Sequence, residues 1–306
     1  MKRFHPTKYI LSSKAKRVFL CLLFIPGLCY SQGNILTVLS GDSRIYQGFY
    51  SQLETALDEN HTLNQIQSID IDDEELEQYD LIISVGSDAA MAIAKHKVKQ
   101  TVIHTLIPEN ESLLAKAPCK KVNCYQVYIN QPAIRYVKLF KSLFTKSNRL
   151  VLATTQTSAK QSLQLNVAAD KHDINYKVIN IDPKQNVARS LINQLDKDDV
   201  LLALPNPAIY NSRYSKNVIL SAYHKNIPII AYSKAFSKAG ALISLYSGIG
   251  DVAGKTAKLV ETIYNNGLPE QKTYYPDSFS IEINSAVARS LNISIEPKNT
   301  IMRSIK

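Results

Sequence analysis

The stretch Asp80-Leu-Ile-Ile-Ser-Val-Gly-Ser-Asp-Ala-Ala90 decides the fold. Its first half, Asp80–Val85, is short and almost continuously apolar, which is typical of a strand buried on both faces. The next three residues, Gly-Ser-Asp, are small or polar and suited to begin a helix. The two alanines share one helical face with Ile93 and Ala94. The stretch therefore predicts a buried strand followed directly by a helix.

The same alternation continues on both sides of this stretch. Helical stripes lie between short apolar runs, for example Ile45, Phe49, Leu53 and Leu57, or Val187, Leu191, Ile192 and Leu195. This order predicts an α/β fold with parallel, doubly wound, Rossmann-like sheets and right-handed crossovers. The other predicted strands are Asn34–Ser40, Gln65–Ile71, Gln100–Leu106, Tyr125–Ile129, Arg149–Thr154, Tyr176–Ile181, Asp199–Leu204 and Ile227–Tyr232.

Residues 1–31 have the pattern of a secretory signal peptide. Six basic residues and no acid lie between Lys2 and Arg17, ahead of the apolar run Val18–Ile25. A proline and a glycine end that run before it could span a hydrocarbon core of about 30 Å. We therefore predict export to the periplasm and cleavage after Ser31.

Two alternatives to a cleaved signal stay open. Cys29 could be acylated, although Leu28 before it is bulkier than a lipoprotein signal prefers. The segment could also remain as an uncleaved anchor. The cleaved, soluble form is the favoured interpretation.

The basic charge of the chain comes mostly from this segment. The full chain has 36 basic and 26 acidic residues, and without residues 1–31 it keeps 30 basic residues. These are spread along the chain, and Lys120-Lys121 is only a dipeptide, so no nucleic-acid partner is indicated. The remaining chain is long enough for two lobes, each with its own core.

Cys119 and Cys124 are the cysteines left after signal removal. They are close together in a polar loop, which in an oxidising compartment predicts a local disulfide. So short a ring should contribute about 2 kcal/mol. A metal site would need two more soft or imidazole ligands, and no histidine lies near in sequence.

Polar residues at four predicted strand ends are candidates for a ligand site. Ligands of doubly wound sheets bind beyond the carboxyl ends of the strands, at helix N-termini. The alternative for each position is that it only caps a helix. The four segments are Ser40-Gly41-Asp42-Ser43, Gly86-Ser87-Asp88, Thr154-Thr155-Gln156-Thr157-Ser158 and Pro205-Asn206-Pro207.

Three tempting motifs do not support catalysis or metal binding. Gly250–Thr256 resembles a phosphate loop but has three residues between its glycines instead of four, and Ile249–Tyr264 is predicted to be an amphipathic helix. No Gly-x-Ser-x-Gly elbow occurs, and His104 and His224 stand alone. The acids between Asp70 and Glu75 are interpreted as a solvated helix cap. We therefore predict no enzyme activity, no cofactor and no metal.

Three stretches together resemble a known family. Asp80–Ala90 is similar to a family strand that ends in glycine and a small hydroxyl residue before an alanine-rich helix. Ile227–Ala241 is close to the signature "IPV…S…VKAGAL", and Gly254–Ala257 with Ile283–Leu291 is similar to the closing "INxxxAxxLG" stretch. The family is that of ABC transporter substrate-binding proteins with a type I periplasmic-binding fold, including proteins regarded as tryptophan and tyrosine binders. The resemblance covers essentially the whole chain after the signal.

The resemblance implies two lobes that close around a ligand. The first lobe would comprise residues 32–130 and 245–277, and the second residues 131–244 and 278–306. The three crossovers between them would lie near Asn130, Ser244 and Ser278.

The resemblance also implies site residues. Ser87 with neighbouring N–H groups resembles an anion clamp of the first lobe, and Thr155–Ser158 its counterpart in the second. Asn206 stands where the family usually has an aspartate that could hold a ligand ammonium; an amide adds no charge, which leaves an amino acid ligand open. The candidate ligand-binding residues are Ser40, Asp42, Tyr46, Gly86, Ser87, Asp88, Thr155, Thr157, Ser158, Asn206, Tyr210, Ser233 and Phe236, of which Tyr46, Tyr210 and Phe236 could stack on the ligand or simply pack.

The function favoured by the sequence is a periplasmic solute-binding protein that delivers a small organic ligand, amino-acid-like or aromatic, to the inner-membrane permease of an ABC transporter. The alternative is a periplasmic sensor subunit that presents ligand occupancy to a signalling protein without transport. Both functions need the same cleft, so the fold cannot separate them. A monomer is expected in either case.

Overall fold

The computed structural model describes Met1 and residues 33–109, 123–155 and 159–306. In these ranges two α/β lobes are built on two sheets of six strands each. The strands are β1 Asn34–Leu39, β2 Thr62–Gln67, β3 Leu81–Val85, β4 Thr101–Ile107, β5 Cys124–Tyr128, β6 Arg149–Thr154, β7 Asn175–Asn180, β8 Asp199–Leu202, β9 Ile229–Ala231, β10 Ile243–Tyr246, β11 Thr273–Tyr274 and β12 Ser280–Ile283.

Helices separate most of the strands. None of the described helices is long and apolar enough to cross a membrane. The helices are α1 Arg44–Ala56, α2 Asp73–Leu76, α3 Ser87–Ile93, α4 Ala133–Leu143, α5 Ala159–Lys171, α6 Val187–Ile192, α7 Ser215–His224, α8 Lys234–Ala239, α9 Ile249–Asn266, α10 Ser285–Ser290 and α11 Lys298–Ser304.

The two sheets have matching topologies. The first has the strand order β11-β5-β4-β3-β1-β2 and the second β12-β10-β9-β8-β6-β7. All pairs are parallel except β10 with β12, which is antiparallel. The doubly wound α/β fold predicted from the sequence is therefore confirmed, but the sequence analysis did not predict three of the strands: β10, β11 and the antiparallel edge strand β12.

Helices cover both faces of each sheet. In β1, Ile35 and Leu39 pack with α1 and α9, whereas Leu36 and Val38 pack with α2 and α3, because successive strand residues point to opposite faces. In the second sheet, α6, α7 and α8 contribute to the core on one face, and α4, α5 and α11 to the core on the other. The late helix α9 thus belongs to the first lobe and α11 to the second.

Several local predictions need correction. The second strand lies at Thr62–Gln67, whereas the sequence predicted Gln65–Ile71. This strand lies at the half-solvated edge of its sheet, and Ile69, which the prediction included, is 89% exposed. Ile45 begins the predicted stripe of α1 but is 55% exposed, while Phe49 and Leu53 are fully buried. The phosphate-loop-like glycines, in contrast, lie inside α9, as predicted.

The acidic segment behaves as a helix cap, as predicted. The Asp72 carboxylate accepts a hydrogen bond of 3.3 Å from the Glu74 N–H at the start of α2. Among the described residues, no three histidine, cysteine or acidic side chains are grouped so that they could hold a metal ion.

The chain passes between the described parts of the sheets three times: after β5, after β10 and after β11. Side chains tie these crossings together. Gln131 Nε2 donates to Ser247 Oγ at 2.7 Å, and Ser247 Oγ donates to the Ser278 carbonyl at 2.6 Å. Arg135 donates to Gln131 Oε1 at 2.6 Å and to the carbonyls of Pro276 and Asp277 at 3.2 Å. The exact lobe boundaries stay a prediction.

Candidate functional site

The first half of the candidate site lies where β1 and β3 end side by side. Ser40 Oγ donates to the Val85 carbonyl at 2.8 Å and accepts from the Ala89 N–H at 2.9 Å. One hydroxyl therefore joins β1 to the end of β3 and to the first turn of α3. Its single proton is used by the fold, so Ser40 acts on the site by positioning α3.

Gly86 brings an aromatic ring next to that helix start. Its φ is +88°, a backbone conformation that favours glycine. A Cβ atom there would lie 2.6 Å from Ser40 Oγ and 2.8 Å from Cε1 of Tyr46. Tyr46 therefore lies directly over the Gly86 backbone, and half-buried Ser87 begins α3 beside it. Four of the predicted site residues thus lie next to one another: Ser40, Tyr46, Gly86 and Ser87.

The two predicted acids of this half lie further out. Asp42 and Asp88 are both exposed, and the Asp42 carboxylate accepts a hydrogen bond of 2.9 Å from Gln47 Nε2. A role for either in ligand binding stays a prediction.

The second half lies at the ends of β6 and β8, which are neighbours in the second sheet. Thr155 and Asn206 are 7% and 5% exposed. Asn206 Nδ2 donates to Thr155 Oγ1 at 3.3 Å, and Asn206 Oδ1 accepts from the Ala208 N–H at 3.1 Å. The amide is thus oriented by contacts on both of its ends. Thr157 and Ser158 lie outside the described residues.

Three aromatic side chains pack against one another in the second lobe. The rings of Tyr210 and Phe236 meet edge to face at 5.8 Å, and Tyr232 lies 4.9 Å from Phe236. Tyr210 and Phe236 are buried in the core of the second lobe, whereas Tyr232 is half-buried. Burial raises the pKa of Tyr232 to about 12 and that of Tyr210 further, so both phenols stay protonated at neutral pH. Ser233 is the residue immediately before α8.

Glu109 is a candidate site residue that the sequence analysis did not include. It follows β4, between the strand ends that provide Ser87 and Asn130, and it is 5% exposed. Its N–H donates to Asn130 Oδ1 at 2.9 Å, and its Oε2 accepts from the Tyr275 hydroxyl at 3.0 Å. The strand-end rule used for the other positions would have found it, since Pro108-Glu109 directly follows an apolar run.

Glu109 also joins the two halves. Lys160 Nζ lies 3.6 Å from Glu109 Oε1, and Lys160 belongs to the first turn of α5, which follows β6. Gln164, also on α5, lowers the pKa of Tyr275, against the larger raising effect of burial. The carboxyl ends of the two sheets therefore face each other across a polar contact. This is the arrangement of a ligand cleft between two lobes.

The structure describes one of the two cysteines of the predicted disulfide. Cys124 begins β5 and is 7% exposed, whereas Cys119 lies outside the described residues. The pairing stays a prediction.

Comparison with known proteins gives a consistent result. Residues 44–302 match the model of a family described as ABC transporter substrate binding protein. No curated protein matches the chain.

Similar solved structures share the fold at low sequence identity. A conserved domain protein from Vibrio cholerae is 15% identical, with a TM-score of 0.62 over 90% of this chain and 98% of its own. A Streptococcus pneumoniae ABC domain in complex with L-Trp is 17% identical, with a TM-score of 0.61 over 88% and 98%. A substrate-binding protein with adhesive properties from Clostridium difficile, in its ligand-free open form, is 18% identical, with a TM-score of 0.63 over 87% and 97%.

Proposed function

Because the chain belongs to the ABC transporter substrate-binding protein family, we propose that it is a periplasmic solute-binding protein. It captures one small organic ligand, amino-acid-like or aromatic, between its lobes and delivers it to the permease of an ABC-type importer. The observation that carries this proposal is the contact between Glu109 and Lys160, since it brings the carboxyl ends of both sheets to one cleft.

The groups at those strand ends support a small polar-and-aromatic ligand. Ser87 from the first lobe and Asn206 from the second can bind polar groups of a ligand, because each follows a strand end that borders the cleft. Tyr46 and Tyr232 are half-buried aromatic residues on opposite lobes. Two such rings suit a flat apolar body, as aromatic side chains gain most from stacking against flat partners.

Binding and transport, without catalysis, are expected. The family is one of solute-binding proteins, and the proton of the Ser40 hydroxyl is already donated to the Val85 carbonyl. We further propose a monomer that is exported by the N-terminal segment and has a disulfide between Cys119 and Cys124.

A thermal-shift screen tests the proposal. The full set should contain the twenty amino acids, their deaminated aromatic analogues and simple sugars. A ligand at a hundred times its Kd adds about 2.7 kcal/mol to the free energy of unfolding, which raises the Tm of a chain this size by several degrees. A hit should then titrate with one site per chain. A protein that no member of the set stabilises would contradict the proposed function.

A further inference from the structure

The second lobe has an open groove on its surface that is separate from the candidate site. Residues of α7, α10 and the end of α8 line it, and its volume is about 340 Å³. The lining includes buried Ile219 and Val287, together with Leu220 and Tyr223, which are 50% and 42% exposed. Large apolar side chains gathered in one exposed groove, in contrast to ones scattered singly, are typical of an interaction surface.

The groove lies at the end of the lobe opposite to the candidate site. Tyr223 on α7 comes before β9 and Gly240 comes before β10, so both are near the amino ends of parallel strands. Asn284 follows β12, which runs antiparallel, and its N–H donates to the Leu242 carbonyl at the same edge. Asn206, in contrast, follows the carboxyl end of β8. A molecule in the groove is therefore remote from the ligand cleft.

The helices around the groove carry basic residues and no acid. Lys216 lines the groove, Lys238 directly precedes Ala239 of its lining, and both lysines are exposed. In the part of the chain that the structure describes, neither lysine lies within 4 Å of a carboxylate, whereas Lys234 Nζ lies 3.9 Å from Glu282. The lysine and arginine residues of α7, α8 and α10 are Lys216, Lys234, Lys238 and Arg289.

Shape and charge together select the occupant of the groove. In a symmetric dimer through this groove, Lys216 and Lys238 of both copies would face each other, and like charges at an interface repel. A lipid surface is flat and would leave the base of the groove empty. The lining positions on α7 have the i, i+3, i+4, i+7 spacing of one helical face, on a helix about 15 Å long. A second helix of acidic character matches both this length and this charge.

We propose that the groove binds an acidic amphipathic helix of a partner protein. The apolar face of that helix contacts Leu220 and Tyr223. Its carboxylates pair with Lys216 and Lys238, which sets the specificity for an acidic partner. All of these residues belong to the second lobe, so the partner stays bound whether the cleft is open or closed. The inference concerns a different site from the proposed function and does not depend on it.

Two synthetic helices test the role of charge. Both have about 18 residues, because shorter peptides are marginally helical in water, and both have leucines along one face. Their other positions are alanine with glutamate in one helix and alanine with glutamine in the other. Fluorescence anisotropy of the labelled helices measures their affinity for the protein. The glutamate helix should bind about tenfold more tightly at low salt, and the difference should shrink at about 1 M salt, where charges are screened beyond about 3 Å.

Leu220→Ser tests the apolar contact. It should weaken both helices about fivefold to tenfold, because apolar surface of the groove is lost. Since Leu220 is half-exposed, the variant should keep the Tm of the wild type within a few degrees. The matched control is Leu268→Ser, because Leu268 is also 50% exposed but follows α9 in the first lobe. The control should bind both helices as the wild type does.

A double charge reversal tests the lysines. Lys216→Glu combined with Lys238→Glu should weaken the glutamate helix about tenfold or more and leave the glutamine helix almost unchanged. The matched control is Lys95→Glu combined with Lys97→Glu, two exposed lysines of the first lobe. This control should change neither affinity.

Several outcomes would overturn the inference. These are a glutamate helix that does not bind, equal affinity of the two helices, or equal weakening by Leu220→Ser and Leu268→Ser. Phosphatidylglycerol vesicles that bind the wild type but not Leu220→Ser would assign the groove to a membrane surface instead. A dimer in light scattering that Leu220→Ser abolishes would assign it to a second copy of the chain. Because the thermal-shift screen probes the opposite end of the lobe, its result decides the proposed function separately.

Discussion

Asn206 Nδ2 donates a hydrogen bond of 3.3 Å to Thr155 Oγ1, so two residues from neighbouring strand ends are fixed against each other. The other end of the same amide accepts from the Ala208 N–H. This fixes which way the amide points. In the proposed site, a ligand would therefore meet a side chain whose orientation is set before binding, which lowers the entropic cost of binding.

We predict that binding depends on Ser87 and Asn206 together. Ser87→Ala or Asn206→Ala should each cost about 1–3 kcal/mol of binding free energy, or about tenfold to a hundredfold in Kd, because a ligand group is left unpaired in a closed cleft. Titration calorimetry with the best ligand from the screen measures this. Thr262→Ala, on the exposed face of α9, is the control and should bind as the wild type does. Unchanged affinity in both variants would mean that these residues only cap their helices.

The change in affinity caused by Asn206→Asp shows which charge the ligand carries next to this position. If the ligand presents a carboxylate or a neutral edge here, the new carboxylate is buried without a cationic partner, so binding should weaken through like-charge repulsion or desolvation. The same titration measures it. Tighter binding would instead place a ligand ammonium beside residue 206, where the new carboxylate forms a charge-assisted hydrogen bond with it.

Gly86 should not tolerate a side chain. Gly86→Ala forces a Cβ into a left-handed backbone conformation and against Ser40 Oγ and Tyr46, so it should lower the free energy of unfolding by about 1–3 kcal/mol. Gly254→Ala is the matched control: nothing lies within 4 Å of its Cβ position in the middle of α9, and it should stabilise the protein by up to about 1 kcal/mol. Chemical denaturation of both variants measures the two values. A Gly86→Ala protein as stable as the wild type would show that the Ser40 and Tyr46 contacts can relax.

Export should leave two recognisable marks on the protein. The mature chain should begin near Gln32, and intact-mass measurement of the periplasmic form would detect this. A mass that includes diacylglycerol on Cys29 would overturn the soluble form.

Thiol labelling of denatured, unreduced protein should find no reactive sulfhydryl if Cys119 and Cys124 are bonded, and two labelled thiols would contradict the bond.

The fold could be predicted from the sequence because strands buried on both faces are continuous apolar runs. Arg149–Thr154 was predicted with its observed bounds for this reason. Thr62–Gln67 was placed too late because it lies at a sheet edge and has only two apolar residues, Leu63 and Ile66. The four-residue strand Ser280–Ile283 was missed because it is short and pairs antiparallel at the other edge. Edge strands have the weakest apolar signal.

The candidate site was only partly predictable. Ser40, Tyr46, Gly86 and Ser87 come together because their strand ends are adjacent, and sequence order alone indicates such adjacency in a doubly wound sheet. Glu109 also follows a predicted strand end, so the same rule would have included it, but its contact with the other lobe could not be predicted. Nothing in the local sequence relates it to Lys160, which lies across the cleft.

The hydrogen bonds of Ser247 have a mechanical consequence. Its hydroxyl is bonded to Gln131 on one crossing and to the Ser278 carbonyl on another, and Arg135 reaches the last crossing as well. Bending one connection alone would break its hydrogen bonds to the other two. We therefore expect the three connections to bend and twist as one unit. The lobes are then expected to move relative to each other mainly about one axis, so that a partner on the outside would read the state of the cleft as a single angle.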